Sequence, residues 1–242
     1  MKSAIVTGSS RGIGRAIAVR LAKDGIRVVV TGRDQAALDS VAAEIGNAAV
    51  IALDLRMPQS AQQLVDFAIT QFGRIDIVVN NAGATKRGDF LSLTDADWSD
   101  GYELKLFGAV RVTRAAWPYL KESSGSLLNI AGVGGRTPGA EFTIGGSVNA
   151  ALLSFTKAMS EVGIRDGIQV NLVNPGTIRT ERFDKRLAMS GSSEREFIAE
   201  QRITRIGEPE DIANLVAFIT SPEGRLMQGS LLDMDAGATK TV

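Results

Sequence analysis

The chain of 242 residues carries 27 basic and 27 acidic side chains and contains neither cysteine nor histidine. The balanced charge leaves no electrostatic excess that would hold the chain on nucleic acid or on an anionic membrane, so neither is an expected partner. The missing residue types exclude disulfides, cysteine nucleophiles, Ser-His-Asp triads and Cys or His metal sites, and we expect no bound metal. A hydrophobic content of 44%, with 26 glycines and 6 prolines, is typical of one globular domain.

The N-terminal segment MKSAIVTGSS leads directly into a strand pattern, with no apolar signal region. No apolar run approaches the roughly 18 residues that are needed to cross a bilayer. The sequence therefore predicts a soluble, cytoplasmic protein.

Short apolar segments alternate along the chain with segments whose apolar residues recur at helical spacing. The predicted strands are 3–7, 27–31, 49–53, 75–79, 126–130, 168–173 and 229–233, and the predicted helices are 14–25, 34–45, 59–72, 95–121, 146–165 and 209–220. Regular alternation of this kind predicts an α/β fold with a doubly wound parallel sheet of about seven strands and helices on both faces.

Residues 179–204 interrupt this alternation. The segment is charged, contains the turn cluster SGSS and lies between a strand and a helix. We predict a mobile insertion on the substrate side, since ligands bind beyond the carboxyl ends of parallel strands. A solvated surface excursion is the alternative interpretation.

The segment TGSSRGIG, residues 7–14, joins the first strand to the first helix. Gly8, Gly12 and Gly14 permit a tight turn and close approach of a pyrophosphate, and the following helix presents its positive N-terminal end. A plain strand-to-helix turn is the alternative.

Further segments follow in a definite order along the chain: DL (54–55), NNAG (80–83), NPGTIRT (174–180), GEPEDIA (207–213) and QGSLLDMDAG (228–237). With the glycine loop, they make the chain resemble the short-chain dehydrogenase/reductase family over its full length. The resemblance implies one NAD(P)-binding Rossmann domain, residues 1–242, that assembles as a homodimer or homotetramer through the helices near 95–121 and 146–165.

The resemblance also implies which residues contact the cofactor. Asp54 is expected near the adenine, Asn81 to Gly83 along the adenosine ribose and Pro175 to Thr180 beside the nicotinamide. The full expected set is Gly8, Ser10, Arg11, Gly12, Ile13, Gly14, Arg33, Asp54, Leu55, Asn81, Ala82, Gly83, Pro175, Gly176, Ile178 and Thr180. Asn80 is interpreted instead as a residue that ties neighbouring strands together.

The choice of cofactor depends on the end of the second strand, where NAD-binding sites place a carboxylate for the ribose 2′-hydroxyl. Gly32 occupies that position and Arg33 follows it. A guanidinium can bind a 2′-phosphate with two hydrogen bonds, so we expect NADP(H) in preference to NAD(H). Asp34 is interpreted as the N-cap of the next helix.

The resemblance places the family's four catalytic residues, Asn, Ser, Tyr and Lys, at Lys105, Gly132, Gly145 and Asn149 respectively. All four residue types differ from the family pattern. A shifted alignment does not restore the Tyr-Lys pair, because residues 122–156 contain neither tyrosine nor lysine. The usual proton transfer is therefore not expected, and the two glycines are expected to enlarge the space beside the nicotinamide.

Lysine and asparagine have exchanged positions, which suggests that Lys105 reaches the cofactor ribose or relays a proton if the two side chains converge. Tyr102, one helical turn earlier, is an alternative phenol donor or a packing residue. Other polar groups near the vacated site are Arg136, Glu141, Thr143 and Ser147. Of these, Arg136 could bind an acidic substrate and Glu141 could act as a base.

The sequence thus favours an NADP(H)-dependent oxidoreductase acting on an unidentified small carbonyl or alcohol with a non-standard active site. A catalytically inactive dinucleotide-binding sensor or assembly partner remains open, as does a structural protein without cofactor.

Overall fold

One parallel sheet forms the centre of the computed structural model, which describes residues 1–46 and 48–240. The strands are β1 (Ser3–Thr7), β2 (Arg27–Gly32), β3 (Ala48–Ala52), β4 (Ile77–Asn80), β5 (Ser126–Ile130), β6 (Gln169–Pro175) and β7 (Leu231–Met234). Their order, β3-β2-β1-β4-β5-β6-β7, confirms the predicted doubly wound sheet. Because the order reverses between β1 and β4, a ligand crevice is expected at the carboxyl ends of these two strands.

Helices cover both faces of the sheet. They are α1 (Gly12–Lys23), α2 (Gln35–Ile45), α3 (Ser60–Phe72), α4 (Asp95–Tyr102), α5 (Gly108–Ser123), α6 (Thr143–Asp166), α7 (Glu181–Ser190), α8 (Glu194–Gln201) and α9 (Pro209–Thr220). Successive residues of a strand point to opposite faces. In β1, Val6 therefore packs into the core with α1 and α9, whereas Ile5 packs into the core with α3 and α5.

The predicted helix 95–121 is not continuous. A π-helical turn, Glu103–Phe107, separates α4 from α5. Such a turn adds one residue to the local helical repeat and redirects the side chains that follow. Apolar spacing does not reveal it, because one inserted residue within a single turn leaves the apolar periodicity of the whole segment nearly unchanged. The turn carries Lys105, one of the candidate catalytic residues.

Residues 179–204 contain two short helices, α7 and α8. The Thr180 hydroxyl caps α7, and a reciprocal pair of hydrogen bonds between Ser193 and Glu196 caps α8. The rings of Phe183 and Phe197 meet edge to face at 5.4 Å and pack the two helices together. The segment is thus regularly folded, and its mobility stays a prediction.

None of the helices in the described ranges combines the length and the hydropathy that crossing a bilayer requires.

Candidate functional site

The turn between β1 and α1 leaves no room for side chains where it meets the end of β4. Gly8 and Gly12 have φ values of +65° and +54°. A Cβ atom at Gly8 would lie 2.9 Å from the Cα of Ala82, and one at Gly14 would overlap the Gly8 carbonyl and the Asn81 amide. Backbone conformation and close approach of the chain therefore require glycine at these positions.

Thr7 and Asn81 fasten the glycine loop to the end of β4. The Asn81 Nδ2 donates to the carbonyl oxygens of Thr7 and Gly8 at 3.0 and 3.1 Å. The Thr7 Oγ1 accepts hydrogen bonds from the backbone N–H groups of Asn81 and Ala82, both at 3.0 Å. These bonds fix the two sides of the crevice relative to each other.

Asn80 is buried just behind this junction. Its Nδ2 donates to the Asn129 Oδ1 at 2.9 Å and to the Thr113 Oγ1 at 3.1 Å. It therefore links β4 to β5 and to α5, which confirms its interpretation as a residue that ties neighbouring elements together.

The end of β2 offers an arginine without an acidic partner. Arg33 is exposed and forms no ion pair within the part of the chain that is described. The Asp34 carboxylate accepts a hydrogen bond from the Ala37 N–H at 3.1 Å, which confirms it as the N-cap of α2. A Cβ at Gly32 would lie 3.4 Å from the Ser10 Oγ, so the Ser10 hydroxyl lies beside Arg33 at this strand end.

Two residues of the expected cofactor set direct their side chains into the core. Leu55 is 6% exposed and packs in the core between α3 and α5, and Ile178 is 8% exposed and packs in the core near α9. The motif spacing does not distinguish such residues from ligand contacts. Asp54 lies next to Leu55, where its carboxylate forms a 3.3 Å ion pair with Arg56.

The remaining residues of the expected set line the border between α1 and the segment after β6. Arg11 forms a 3.3 Å ion pair with Glu181, and a Cβ at Gly12 would lie 3.3 Å from the Thr180 Cγ2. Ile13 packs against the core near α9, and the Gly176 N–H, next to Pro175, donates to the Met234 carbonyl. The residues after β6 and the glycine loop therefore lie side by side.

Lys105 enters the carboxyl end of the sheet from the π-helical turn. Its half-buried side chain passes over Gly83, where a Cβ would lie 2.8 Å from the Lys105 Cδ. The Nζ donates to the Ala131 carbonyl oxygen at 2.8 Å. Desolvation lowers the pKa of Lys105 from 10.5 to about 7, and the charge of Arg182 acts in the same direction. An amine of this pKa can donate or accept a proton near neutrality.

Asn149 approaches the same strand end from α6. A Cβ at Gly132, directly after Ala131, would lie 3.1 Å from the Asn149 Nδ2. Asn149 is 2% exposed, and its Oδ1 has no hydrogen-bond partner among the described residues. The side chains of Lys105 and Asn149 therefore converge on the successive residues Ala131 and Gly132, as the exchange hypothesis requires. The Asn149 Oδ1 is an acceptor that no described residue uses.

The ring of Phe142 fills the position beside Gly145. A Cβ at Gly145 would overlap this ring, and one at Gly134 would lie 2.7 Å from its Cε1. The Arg87 guanidinium covers the ring at 3.8 Å from its centroid. The expectation of enlarged space is thus wrong at Gly145, because Phe142, immediately before α6, folds back against the first turn of that helix.

Arg136 and Ser147 have local partners among the described residues, whereas the side chains of Glu141 and Thr143 have none. Arg136 forms a 3.2 Å ion pair with Asp233, and the Ser147 hydroxyl donates to the Ile144 carbonyl oxygen. Glu141 is exposed, and the buried Thr143 hydroxyl has no partner within the described ranges. Tyr102 stacks on Trp98 at 6.4 Å, which favours its role as a packing residue.

Known proteins resemble this chain over nearly its whole length. Residues 8–239 match the protein family described as enoyl-(acyl carrier protein) reductase. The chain is 34% identical to an uncharacterized oxidoreductase of Mycobacterium tuberculosis, an alignment that covers 98% of this chain and 92% of the other. It is 32% identical to the 3-oxoacyl-(acyl-carrier-protein) reductase of Vibrio cholerae, with coverage of 98% and 96%.

A solved structure is similar to the fold as a whole. L-sorbose reductase of Gluconobacter frateurii, complexed with NADPH and L-sorbose, superposes with a TM-score of 0.95 at 30% identity. The superposition covers 100% of this chain and 97% of that one.

The packing of Phe142 predicts a specific stability effect. Gly145→Ala is expected to lower the free energy of unfolding by about 1–3 kcal/mol in chemical denaturation, because the new methyl group overlaps the ring. Gly139→Ala is the control, since nothing lies within 4 Å of a Cβ there and its φ is −81°. Phe142→Ala should abolish most of the cost of Gly145→Ala, and a cost that is unchanged in the Phe142→Ala background would contradict this packing.

Proposed function

Since the chain belongs to the short-chain dehydrogenase/reductase family, we propose that it is an NADPH-dependent oxidoreductase with a non-standard active site. It interconverts a small carbonyl compound and the corresponding alcohol. The observation that carries the proposal is the position of Lys105, whose ammonium lies at the carboxyl end of β5 beside the cofactor crevice. Its pKa of about 7 suits proton transfer near neutral pH.

The residues around the crevice fit NADP(H) better than NAD(H). The glycine-lined turn offers backbone N–H groups and the N-terminus of α1 to a pyrophosphate. Arg33 is exposed at the end of β2, where a 2′-phosphate would need a cation, and it forms no ion pair among the described residues. The similar L-sorbose reductase was crystallised with NADPH. The glycine loop, Asn81 to Gly83 and Pro175 to Thr180 are the segments that we assign to the cofactor.

We assign the four usual catalytic positions to Lys105, Gly132, Gly145 and Asn149. Among these four, Lys105 alone has a side chain that exchanges a proton near neutral pH. Asn149 provides a buried Oδ1 without a partner, which fits a hydroxyl donor from the cofactor ribose or from the substrate. An unsatisfied buried acceptor costs about 1–3 kcal/mol, so binding of such a donor would recover that energy.

Reduction of a carbonyl needs one hydride and one proton. When bound, NADPH supplies the hydride to the carbonyl carbon. The Lys105 ammonium donates the proton to the carbonyl oxygen, which becomes the alcohol hydroxyl, and the neutral amine is reprotonated from solvent. In the opposite direction, the neutral amine accepts the hydroxyl proton of the alcohol.

Residues 179–204 form a cover on the substrate side of the crevice. Arg11 and Glu181 join the first turn of α7 to the glycine loop, and Thr180 lies against Gly12. These contacts support a position of α7 and α8 beside the crevice, from which they would exclude water from the proton-transfer site. The exposed ion pair is weak enough to open and close with ligand binding.

The protein also self-associates, as a homodimer or homotetramer, through the helical faces near α5 and α6. Ile164 on α6 is 64% exposed, and Phe107, directly before α5, is 43% exposed. A second copy of the chain would bury these apolar side chains across a two-fold axis.

Arg33 sets the expected cofactor selectivity. Arg33→Ala should weaken NADPH binding about 10-fold to 100-fold, the value of a lost charge-assisted hydrogen bond, and change NADH binding about 2-fold at most. Nucleotide fluorescence and thermal stabilisation measure both affinities. Arg114→Ala removes another exposed arginine and should change neither. No binding of either nucleotide to the unaltered protein would refute the proposed function.

Lys105 sets the expected pH dependence of turnover. The rate of carbonyl reduction should fall as pH rises through about 7, because only the ammonium form donates a proton. Lys105→Met should lower kcat about 10²-fold to 10⁴-fold and remove this titration, and Lys105→Arg, which stays charged, should also remove it. Stopped-flow oxidation of NADPH at saturating substrate gives kcat. A pH profile that Lys105→Met leaves unchanged would contradict the assignment.

A further inference from the structure

Three arginines gather around the Lys105 site from two distant parts of the chain. Arg87 follows β4, whereas Arg182 and Arg186 lie one turn apart on α7. The chain has a net charge of zero, so its overall composition does not predict a concentration of positive charge here.

Contacts place two of these arginines beside the catalytic positions. The Arg87 guanidinium stacks on the Phe142 ring, and this ring occupies the space beside Gly145. The Arg182 Nη2 lies 3.5 Å from the Gly83 carbonyl oxygen, a long and weak hydrogen bond. Gly83 in turn contacts the side chain of Lys105.

Arg186 lies over the aromatic pair that joins α7 to α8. Its guanidinium is 5.3 Å from the centroid of the Phe197 ring and 5.7 Å from that of Phe183. Burial lowers the pKa of Arg87, the charges of Arg186 and Arg182 lower it further, and Glu141 has a smaller opposite effect. The Arg182 and Arg186 guanidinium groups are therefore close enough to Arg87 to repel it.

These charges are not neutralised within the protein. Among the described residues, no carboxylate oxygen lies within 4.0 Å of a guanidinium nitrogen of Arg87, Arg182 or Arg186. Arg179, on the same segment, shows the contrast, since Glu194 binds it at 2.8 Å and Glu208 at 3.0 Å. A bound anion would remove the repulsion among the three free arginines, and guanidinium groups match carboxylate and phosphate oxygens in geometry.

We propose that Arg87, Arg182 and Arg186 bind an anionic group of the substrate, a carboxylate or a phosphate, and thereby place its carbonyl at Lys105. This inference rests on the proposed oxidoreductase function and adds the substrate class to it. The cover formed by α7 and α8 then has a direct role, because it carries two of the three arginines and is drawn over the site by the substrate's charge.

Calorimetric titration of the NADPH-loaded protein tests the inference without a known substrate. Loading with NADPH occupies the 2′-phosphate position at Arg33, so that an added anion does not bind there. The probes are malonate, its neutral analogue malonamide, and inorganic phosphate. Malonate or phosphate should bind at least 10-fold more tightly than malonamide, and the stronger of the two anions identifies the substrate group as carboxylate or phosphate.

Two variants and one control locate the binding. Arg87→Gln and Arg186→Gln should each weaken anion binding about 10-fold or more, the loss expected for one charge-assisted contact. Arg195→Gln, on α8, removes an exposed arginine that forms no ion pair within the described residues and should change the affinity about 2-fold at most. Malonate binding no tighter than malonamide together with no phosphate binding, or equal losses in all three variants, would overturn the inference.

The same titrations separate the two proposals. If NADPH binds and the anions do not, the arginine site is refuted and the proposed oxidoreductase function stands. If NADPH does not bind, the proposed function fails, and anion titration of the protein alone then shows whether the arginines form a binding site of another kind.

Discussion

A single hydrogen bond, from the Lys105 Nζ to the Ala131 carbonyl oxygen, holds an ammonium group at the carboxyl end of β5. Removing a charge from water costs several kcal/mol even in a relaxed protein, and one carbonyl acceptor does not offset that cost. The desolvation cost of the ammonium exceeds the gain from this hydrogen bond, and the pKa of Lys105 is lowered for that reason. The surrounding features accommodate it: the π-helical turn directs the side chain inward, and Gly83 gives its methylene groups room. A half-buried lysine that has no acidic partner among the described residues destabilises the fold, and such groups are typical of catalytic sites.

On the side of the site formed by α6, the position of the Phe142 ring depends on the absence of a side chain at Gly145. The Phe142 ring that fills the space beside Gly145 is half-buried, so its apolar burial stabilises the fold by less than the ~1.5–3 kcal/mol of a fully buried ring. Under the proposed assignment of the family's tyrosine to position 145, no side chain there donates a proton, and a positioned donor is worth about 10²-fold to 10⁴-fold in rate. A Gly145→Tyr substitution alone would place its Cβ in the Phe142 ring, so it does not fit the present packing. Lys105, which approaches from the opposite helix, is compatible with this packing.

Features that depend on neighbours in the sequence could be predicted, and features that depend on distant segments could not. Strand and helix alternation determined the fold, and the roles of Asp34 and Asn80 followed from their places at strand ends. The backward turn of Phe142 depends on the backbone conformation at one residue, which residue type does not specify. The approach of Arg87 to α7 joins segments almost a hundred residues apart, and no local pattern records it. Leu55 shows that the side chain at a motif position can point into the core, which the motif itself does not reveal.

The most direct measurement is the pKa of Lys105 itself. Nuclear magnetic resonance of protein labelled with ¹³C and ¹⁵N at lysine, titrated from pH 5 to pH 11, follows each ammonium separately, and Lys105→Met identifies its signal. Lys105 should titrate near 7 in the protein without cofactor, well below the ordinary lysine value of 10.5. A value near 10.5 would mean that the ammonium is solvated and permanently charged at neutral pH, which would contradict its role as the proton donor.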